Sequence, residues 1–382
     1  MLLSTLPSIS VSFLILVSLA SAKIHHLFVG TFEAASLYAL EFDDEALTLK
    51  IASNISAYDA HSWIAFDHNK KNLYGVAGTA FSSYSVLNGT SLSYDTSLEM
   101  GGNCSSDSTT KNIFVTASPS SPYTVYGTPF GGAAYCGTVM SVSSTGALST
   151  VIQNYTYTST SGVHGLALSP NSKYLYSADD SGNAIWTHRV NNETGTLTFL
   201  SKLSGPTTGA DPRHVATHPS GTHLYAILEG TNQLAVYSLS QSTGLPTNTT
   251  KTYSLIPLTV SNSSHWSDEV ALSASSKYLW ATSRARETSG KGYISVFSLS
   301  EDGAVEKQLL LEKTSSSGGT ANSVAPAGFS DEWAALTDSS TGFVQVWRLG
   351  GNATGSGVQA AEPVARVNIT EGGCCANVLW YD

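Results

Sequence analysis

Short runs of alternating apolar and polar residues, broken by turn residues, recur along most of the chain. The clearest is 211–229, DPRHVATHPSGTHLYAILE. Val215 and Thr217 alternate with Ala216, and Leu224, Ala226 and Leu228 alternate with Tyr225 and Ile227, the two-residue period of strands. Pro219, Ser220 and Gly221 supply a tight polar turn between them. The pattern predicts a hairpin, 213–217 returning through 223–229. In an antiparallel hairpin the first residue of one strand lies opposite the last of the other, so Arg213 and Glu229 should emerge at the same end.

The same hairpin pattern appears at 61–77, 112–127, 164–179, 269–284 and 322–338. With the first hairpin included, the starts at 61, 112, 164, 213, 269 and 322 are separated by 51, 52, 49, 56 and 53 residues. A further step of 53 reaches Cys375, just before a lone apolar strand, NVLWYD, at 377–382. A period near fifty residues with about four short strands in each repeat is the signature of a propeller blade. The segment 25–51 has outer-strand patterns but no inner strand, and 377–382 can supply one. The expectation is an all-β, seven-bladed β-propeller whose closing blade is shared between N- and C-terminal strands, leaving no open sheet edge.

Composition refines this picture. Residues 1–22 carry an apolar run at 11–19 and then Ala20, Ser21 and Ala22, the layout of a cleaved signal peptide whose apolar run is too short to span a membrane. Residues 23–382 then form one propeller domain, expected to be secreted, with no membrane segment left after cleavage. Asn54, Asn88, Asn103, Asn154, Asn192, Asn248, Asn262, Asn352 and Asn368 each begin an Asn-x-Ser/Thr glycosylation sequon, in keeping with that compartment. A net charge of −10 with no basic run argues against nucleic acid as a partner. Cys104, Cys136, Cys374 and Cys375 allow three pairings, and at least one disulfide is expected. Cys374 and Cys375, as neighbours about 3.8 Å apart, fall below the normal disulfide span, so a bridge between them would be strained and pairing of Cys104 with one of them stays open. The Cys and His spacings of zinc proteins are missing and no metal site is expected; the turn at 179–183 lacks the remaining ligands of a calcium loop.

If every inner strand starts at one face of the ring, His61, His164, Arg213, Glu269 and Asn322 share that face. Asp179, Glu229, Arg284 and Asp338, at the ends of the returning strands, join them. Ionisable groups distant in sequence would then converge on one channel mouth, suited to a small anionic molecule.

The runs HHLFVGTF (25–32), SWIAFDHNKKNLYG (62–75), GVHGLALSPNSKYLYSAD (162–179), AIWTHR (184–189), DPRHVATHPSGTHLYA (211–226), GYISVFSL (292–299) and SDEWAALTD (330–338) appear in that order. In this the chain resembles the fungal 3-carboxy-cis,cis-muconate lactonizing enzymes, within the wider seven-bladed propeller lactonase family that includes bacterial 6-phosphogluconolactonase. The resemblance implies a cofactor-free cycloisomerase that closes a lactone by adding a carboxylate to a double bond. It implies His164, Arg213, Glu229 and Arg284 as catalytic residues. Arg213 and Arg284 would clamp substrate carboxylates and stabilise developing negative charge, His164 would carry the proton, and Glu229 would orient Arg213 or relay the proton. His61 and Asp179 are further candidates for substrate binding. Against the pattern of those enzymes, loop 101–108 lacks a His-Pro-Arg segment and Thr320 stands in place of a histidine, so two basic groups are absent from the mouth. Two other function classes stand beside the cycloisomerase: a lactone hydrolase using the same arginines, and a catalytically silent secreted propeller that binds through its mouth. No Gly-x-Ser-x-Gly elbow points to a serine hydrolase. Sequence sets no oligomeric state.

Overall fold

The structure, a computed structural model, describes residues 23–101, 104, 110–131, 135–248, 251–339, 341–351 and 358–382. The segment 1–22 and the sequons at Asn103 and Asn352 lie outside the described residues. Among the described residues, strands form seven four-stranded antiparallel sheets, and a short 3-10 turn spans Asn262–Ser264.

The repeats read from the sequence are these sheets. The fifth blade opens with Pro212–Thr217 and returns through His223–Leu228, within a residue of the predicted hairpin. The closing blade forms as expected: Val378–Trp380 is its innermost strand and pairs with Ile24–Val29, placing Leu27 opposite Trp380 and Val29 opposite Val378.

Second strands are sandwiched between neighbouring sheets, and their sequences are apolar almost throughout. Asn72–Ala77 is buried at every position, and Tyr174–Asp179 at all but the first. Outermost strands such as Thr48–Ser56 show more exposed positions, and polar residues occupy most of them. The apolar core is therefore divided into seven clusters, each joining residues of two adjacent blades. Between the fourth and fifth blades, for instance, Tyr176 and Ile185 pack with Leu224, Ala226 and Tyr237. Burying one such side chain contributes about 1.5–3 kcal/mol, so each interface is a small core of its own.

A polar latch repeats at four successive interfaces. The hydroxyls of Tyr74, Tyr126, Tyr176 and Tyr225 donate to the carbonyls of Gly146, Gly195, Gly244 and Gly303 in the following blade, at 2.7, 2.9, 2.7 and 2.5 Å. All four glycines have positive φ, between 68° and 92°, which turns the carbonyl toward the neighbouring tyrosine at little steric cost.

Cysteine pairing departs from one expectation. Cys104 bonds Cys136 within the third blade, so no bridge joins Cys104 to the C-terminal pair. Cys374 and Cys375 bond each other across a cis peptide, with Cα atoms 3.0 Å apart. The 3.8 Å separation assumed a trans peptide.

Candidate active site

The inner strands of four consecutive blades share an irregularity near their starts. Ladder pairing skips Ile113, then His164, then Arg213 with His214, then Asp268 with Glu269. A β-bulge of this kind inserts an unpaired residue and re-aims its side chain. Repeated around a ring, it delivers side chains from blade after blade to the same level beside the axis. Gly165 permits a close approach here. A Cβ there would lie 2.7 Å from the Arg213 carbonyl oxygen and 2.7 Å from the His214 ring, so only glycine lets the fourth blade sit this near the fifth.

The charged groups interlock. Arg213 Nε lies 2.7 Å from Glu229 Oε2, and its Nη1 lies 2.6 Å from Asp268 Oδ1. Arg284 Nη2 reaches the same Glu229 oxygen at 3.4 Å, its Nε stands 3.8 Å from Asp268 Oδ1, and its Nη1 donates to the Thr320 carbonyl. Asp268 Oδ2 accepts the Asn322 backbone N–H at 2.8 Å. Two guanidiniums are thus bracketed by two carboxylates, and all but Glu229 are buried. Alongside, His164 Nδ1 is 3.0 Å from His214 Nε2, and His214 Nδ1 is 2.8 Å from Glu269 Oε2.

His164, Arg213, Asp268 and Arg284 form one wall of a cavity of about 270 Å³. Phe32, Trp63, Ile113, Phe130 and Ala321 form an apolar wall, and Ser62, Thr320, Ser323 and Asn377 complete the lining. Every blade contributes, which places the cavity at the axis. Asn377 also ties the closing blade to the second, accepting the Ile64 N–H and donating to its carbonyl, each at 2.9 Å.

Burial and crowding set the protonation states. Burial drives the His164 pKa well below its ordinary value, with the Arg213, His214 and Arg284 charges adding to the effect. Burial alone would raise the Asp268 carboxyl, but Arg213 and Arg284 outweigh it and hold the group below its usual range. Asp180 behaves oppositely: burial, then the Glu229 charge, lift its carboxyl to about 8 despite Arg213.

Of the residues singled out from sequence, His164, Arg213 and Arg284 line the cavity, and Glu229 lies behind them, touching both arginines. His61 and Asp179 do not line it, contrary to their reading as substrate-binding groups. His61 is fully buried, with Nδ1 2.7 Å from the Val76 carbonyl and Nε2 2.6 Å from the Tyr84 hydroxyl, so both ring nitrogens are occupied. Asp179 is also fully buried; it accepts the N–H groups of Gly162 and Gly182 and the Trp186 indole N–H, at 2.8, 2.9 and 2.8 Å. Its oxygens hold the blade together and have none to spare for a ligand. Asp268 and His214 were missed as site residues, although the His following Arg213 stands in a predicted hairpin and Asp268 immediately precedes another. Strict alternation would turn them away from their neighbours, and a bulge cannot be read from a two-residue period.

Among the described residues, no group of three His, Cys, Asp or Glu side chains is arranged to hold a metal ion. The seven described sequon asparagines (Asn54, Asn88, Asn154, Asn192, Asn248, Asn262 and Asn368) are all exposed.

Comparisons with known proteins agree with this architecture. The chain is 37% identical over 372 residues to the carboxy-cis,cis-muconate cyclase of Neurospora crassa, covering 94% of this chain and all of that protein. It is 31% identical over 193 residues to muconate cycloisomerase 1 of Cutaneotrichosporon cutaneum, about half of each chain. Among solved structures, a putative 6-phosphogluconolactonase of Bacteroides fragilis superposes with a TM-score of 0.74 at 15% identity, covering 94% of this chain and 98% of that one. The periplasmic gluconolactonase of Pseudomonas aeruginosa gives the same score and identity, covering 94% and 99%. The family model described as lactonase, 7-bladed beta-propeller, matches residues 26–321, and the chain belongs to that family.

Proposed function

We propose that the protein is a cofactor-free cycloisomerase of the carboxy-cis,cis-muconate cyclase type, forming a lactone from a small polycarboxylate. The observation that carries this reading is the convergence of His164, Arg213 and Arg284 on one axial cavity, with Glu229 and Asp268 fixing both guanidiniums. In the proposed reaction one substrate carboxylate oxygen forms a bond to a carbon of the diene. The π pair moves onto the neighbouring carbon, in conjugation with another carboxylate, and the arginines stabilise the enolate charge. That carbon then takes a proton from His164, which solvent restores. Resting His164 is held neutral by burial and the nearby cations. An anionic substrate beside Arg213 and Arg284 offsets those cations, so its binding favours loading the proton onto His164.

Full-length protein incubated with 3-carboxy-cis,cis-muconate should remove the diene absorbance. Arg213→Ala and Arg284→Ala should each lose at least about 100-fold in kcat/KM, the scale of a missing charge-stabilising donor. Unchanged turnover in both variants refutes the assigned site. A second reading, lactone hydrolysis, draws on the neutrality of His164, which suits a base that deprotonates water; a lactone panel run in parallel separates the two. We further propose that the protein is secreted and glycosylated. Support comes from residues 1–22, the exposed sequons and the two disulfides. Endoglycosidase treatment of material recovered from the culture medium should raise its gel mobility; protein retained in the cytosol without glycan counts against it.

A further inference from the structure

The bulges of three consecutive blades place His164, His214 and Glu269 in line, with contacts of 3.0 and 2.8 Å, and all three are buried. Only His164 of the three reaches the cavity. We infer that Glu269 and His214 are positioning residues that fix the tautomer of His164, leaving Nε2 bare at rest and ready to load the proton that the substrate carbon later receives.

The argument starts at the carboxylate. An anionic oxygen 2.8 Å from a ring nitrogen repels a bare lone pair there, so although the contact is an ion pair off the hydrogen-bonding axis it favours the His214 hydrogen on Nδ1. Arg213 Nη1 stands 3.4 Å from His214 Nε2 and 3.5 Å from Nδ1, and Trp63 and Phe114 pack on the same ring. With its one hydrogen on Nδ1, neutral His214 has a lone pair on Nε2. That lone pair faces His164 Nδ1 at 3.0 Å, which must therefore donate. The proton of neutral His164 is then on Nδ1, and Nε2 is unprotonated. When a proton reaches Nε2, the Nδ1 hydrogen can pass to His214 Nε2. His164 is then neutral in the opposite tautomer, and the resulting His214 imidazolium lies against Glu269. The positive charge then lies against Glu269, which offsets the Arg213 guanidinium 3.4 Å away and makes a buried histidine usable as a proton carrier.

The role in turnover rests on the proposed cycloisomerase reading, but the tautomer does not, and the test separates them. Two-bond proton–nitrogen NMR on full-length protein with 15N-labelled histidine distinguishes the tautomers, and Glu269→Gln and His214→Gln are compared with wild type. The His164 signals are assigned by their loss in His164→Gln. Expected for wild type at neutral pH is a protonated Nδ1 and an unprotonated Nε2 on His164. In Glu269→Gln the preference should be lost or inverted. In either variant, kcat with 3-carboxy-cis,cis-muconate should drop roughly 100-fold with KM changed less than about threefold, the range of a misplaced acid–base group. The limb of the kcat–pH profile that reports His164 should move as well. A wild-type His164 protonated on Nε2, or an unaltered tautomer in both variants, overturns the inference. Absence of wild-type turnover would overturn the cycloisomerase reading, and the spectrum would still decide the tautomer.

Discussion

Replacing Asp268 with asparagine removes one negative charge and little volume from a position where the side chain is 2% exposed. Its Oδ1 is 2.6 Å from Arg213, itself 7% exposed, and it also faces Arg284. Breaking a buried pair from one side strands the partner charge, at a cost of about 3–5 kcal/mol. Glu229 still touches both guanidiniums and keeps the loss from exceeding that range. Arg348 and Glu332 provide an internal control: the contact is again 2.6 Å, but the side chains are 46% and 38% exposed. Solvent screening reduces such a pair to about 1 kcal/mol or less, so Glu332→Gln should barely register. The pH dependence has a definite sign. The folded-state pKa of Asp268 is held below its ordinary value of 3.8, so its stabilisation is fully present above that value. It fades as pH falls through the lower folded pKa. Urea unfolding at pH 7 should therefore separate wild type from Asp268→Asn by about 3–5 kcal/mol, with the gap narrowing as pH falls below 3.8. A gap below about 1 kcal/mol at pH 7, or one equal to that of Glu332→Gln, refutes the picture of two buried cations held by a shared carboxylate.

Asp180 should show the opposite pH trend, because folding raises its carboxyl pKa from 3.8 to about 8. The folded state then pays for ionisation increasingly above pH 4 and in full above pH 8, so Asp180→Asn should stabilise the protein over that window, up to a ceiling of about 6 kcal/mol. Stability curves of the two proteins that run parallel from pH 4 to 8 would reject this. Reducing Cys104–Cys136, or replacing the pair with serines, opens a loop of sequence separation 32 and should cost about 3–4 kcal/mol, read as a lowered urea midpoint. Gly165→Ala should destabilise by about 1–3 kcal/mol, because its Cβ would meet the Arg213 carbonyl and the His214 ring. Its activity should fall further than its stability, and a variant with wild-type turnover would show that the blade spacing does not set the His164–His214 contact.

How much of this was legible in the chain depends on what kind of pattern carried it. Blade count and ring closure rest on apolar periodicity and turn residues, which are local, and the fifth blade lies within a residue of its predicted limits. The pairing of Arg213 with Glu229 followed from hairpin topology alone. Asp179 ends its strand as expected and His61 lies three residues before Ile64–Phe66, but a place near a strand end does not say whether a side chain points into the vestibule or back into its own sheet. Asp179 turns back to Gly162, Gly182 and Trp186. The links between His164 and His214, and between Asp268 and both arginines, depend on bulges, where alternation fails. They also cross blade boundaries, which no period within one repeat encodes. The Tyr–Gly latches are periodic at the length of a blade, yet they become visible only once the neighbour's outer turn is in place.

The lining contributed by Asn377 carries a consequence for the order of assembly. Its two hydrogen bonds to Ile64 span 313 residues, and the adjoining strand, Val378–Trp380, pairs with Ile24–Val29 near the other extremity of the propeller. Joining segments so far apart costs on the order of 5 kcal/mol in chain entropy. Until that junction forms, the edge of Ile24–Val29 stands open and the pocket lacks a wall, so a partly made chain has arginines but no finished receptacle. Competence to bind should thus appear in a single late step as the last blade snaps shut, rather than growing blade by blade.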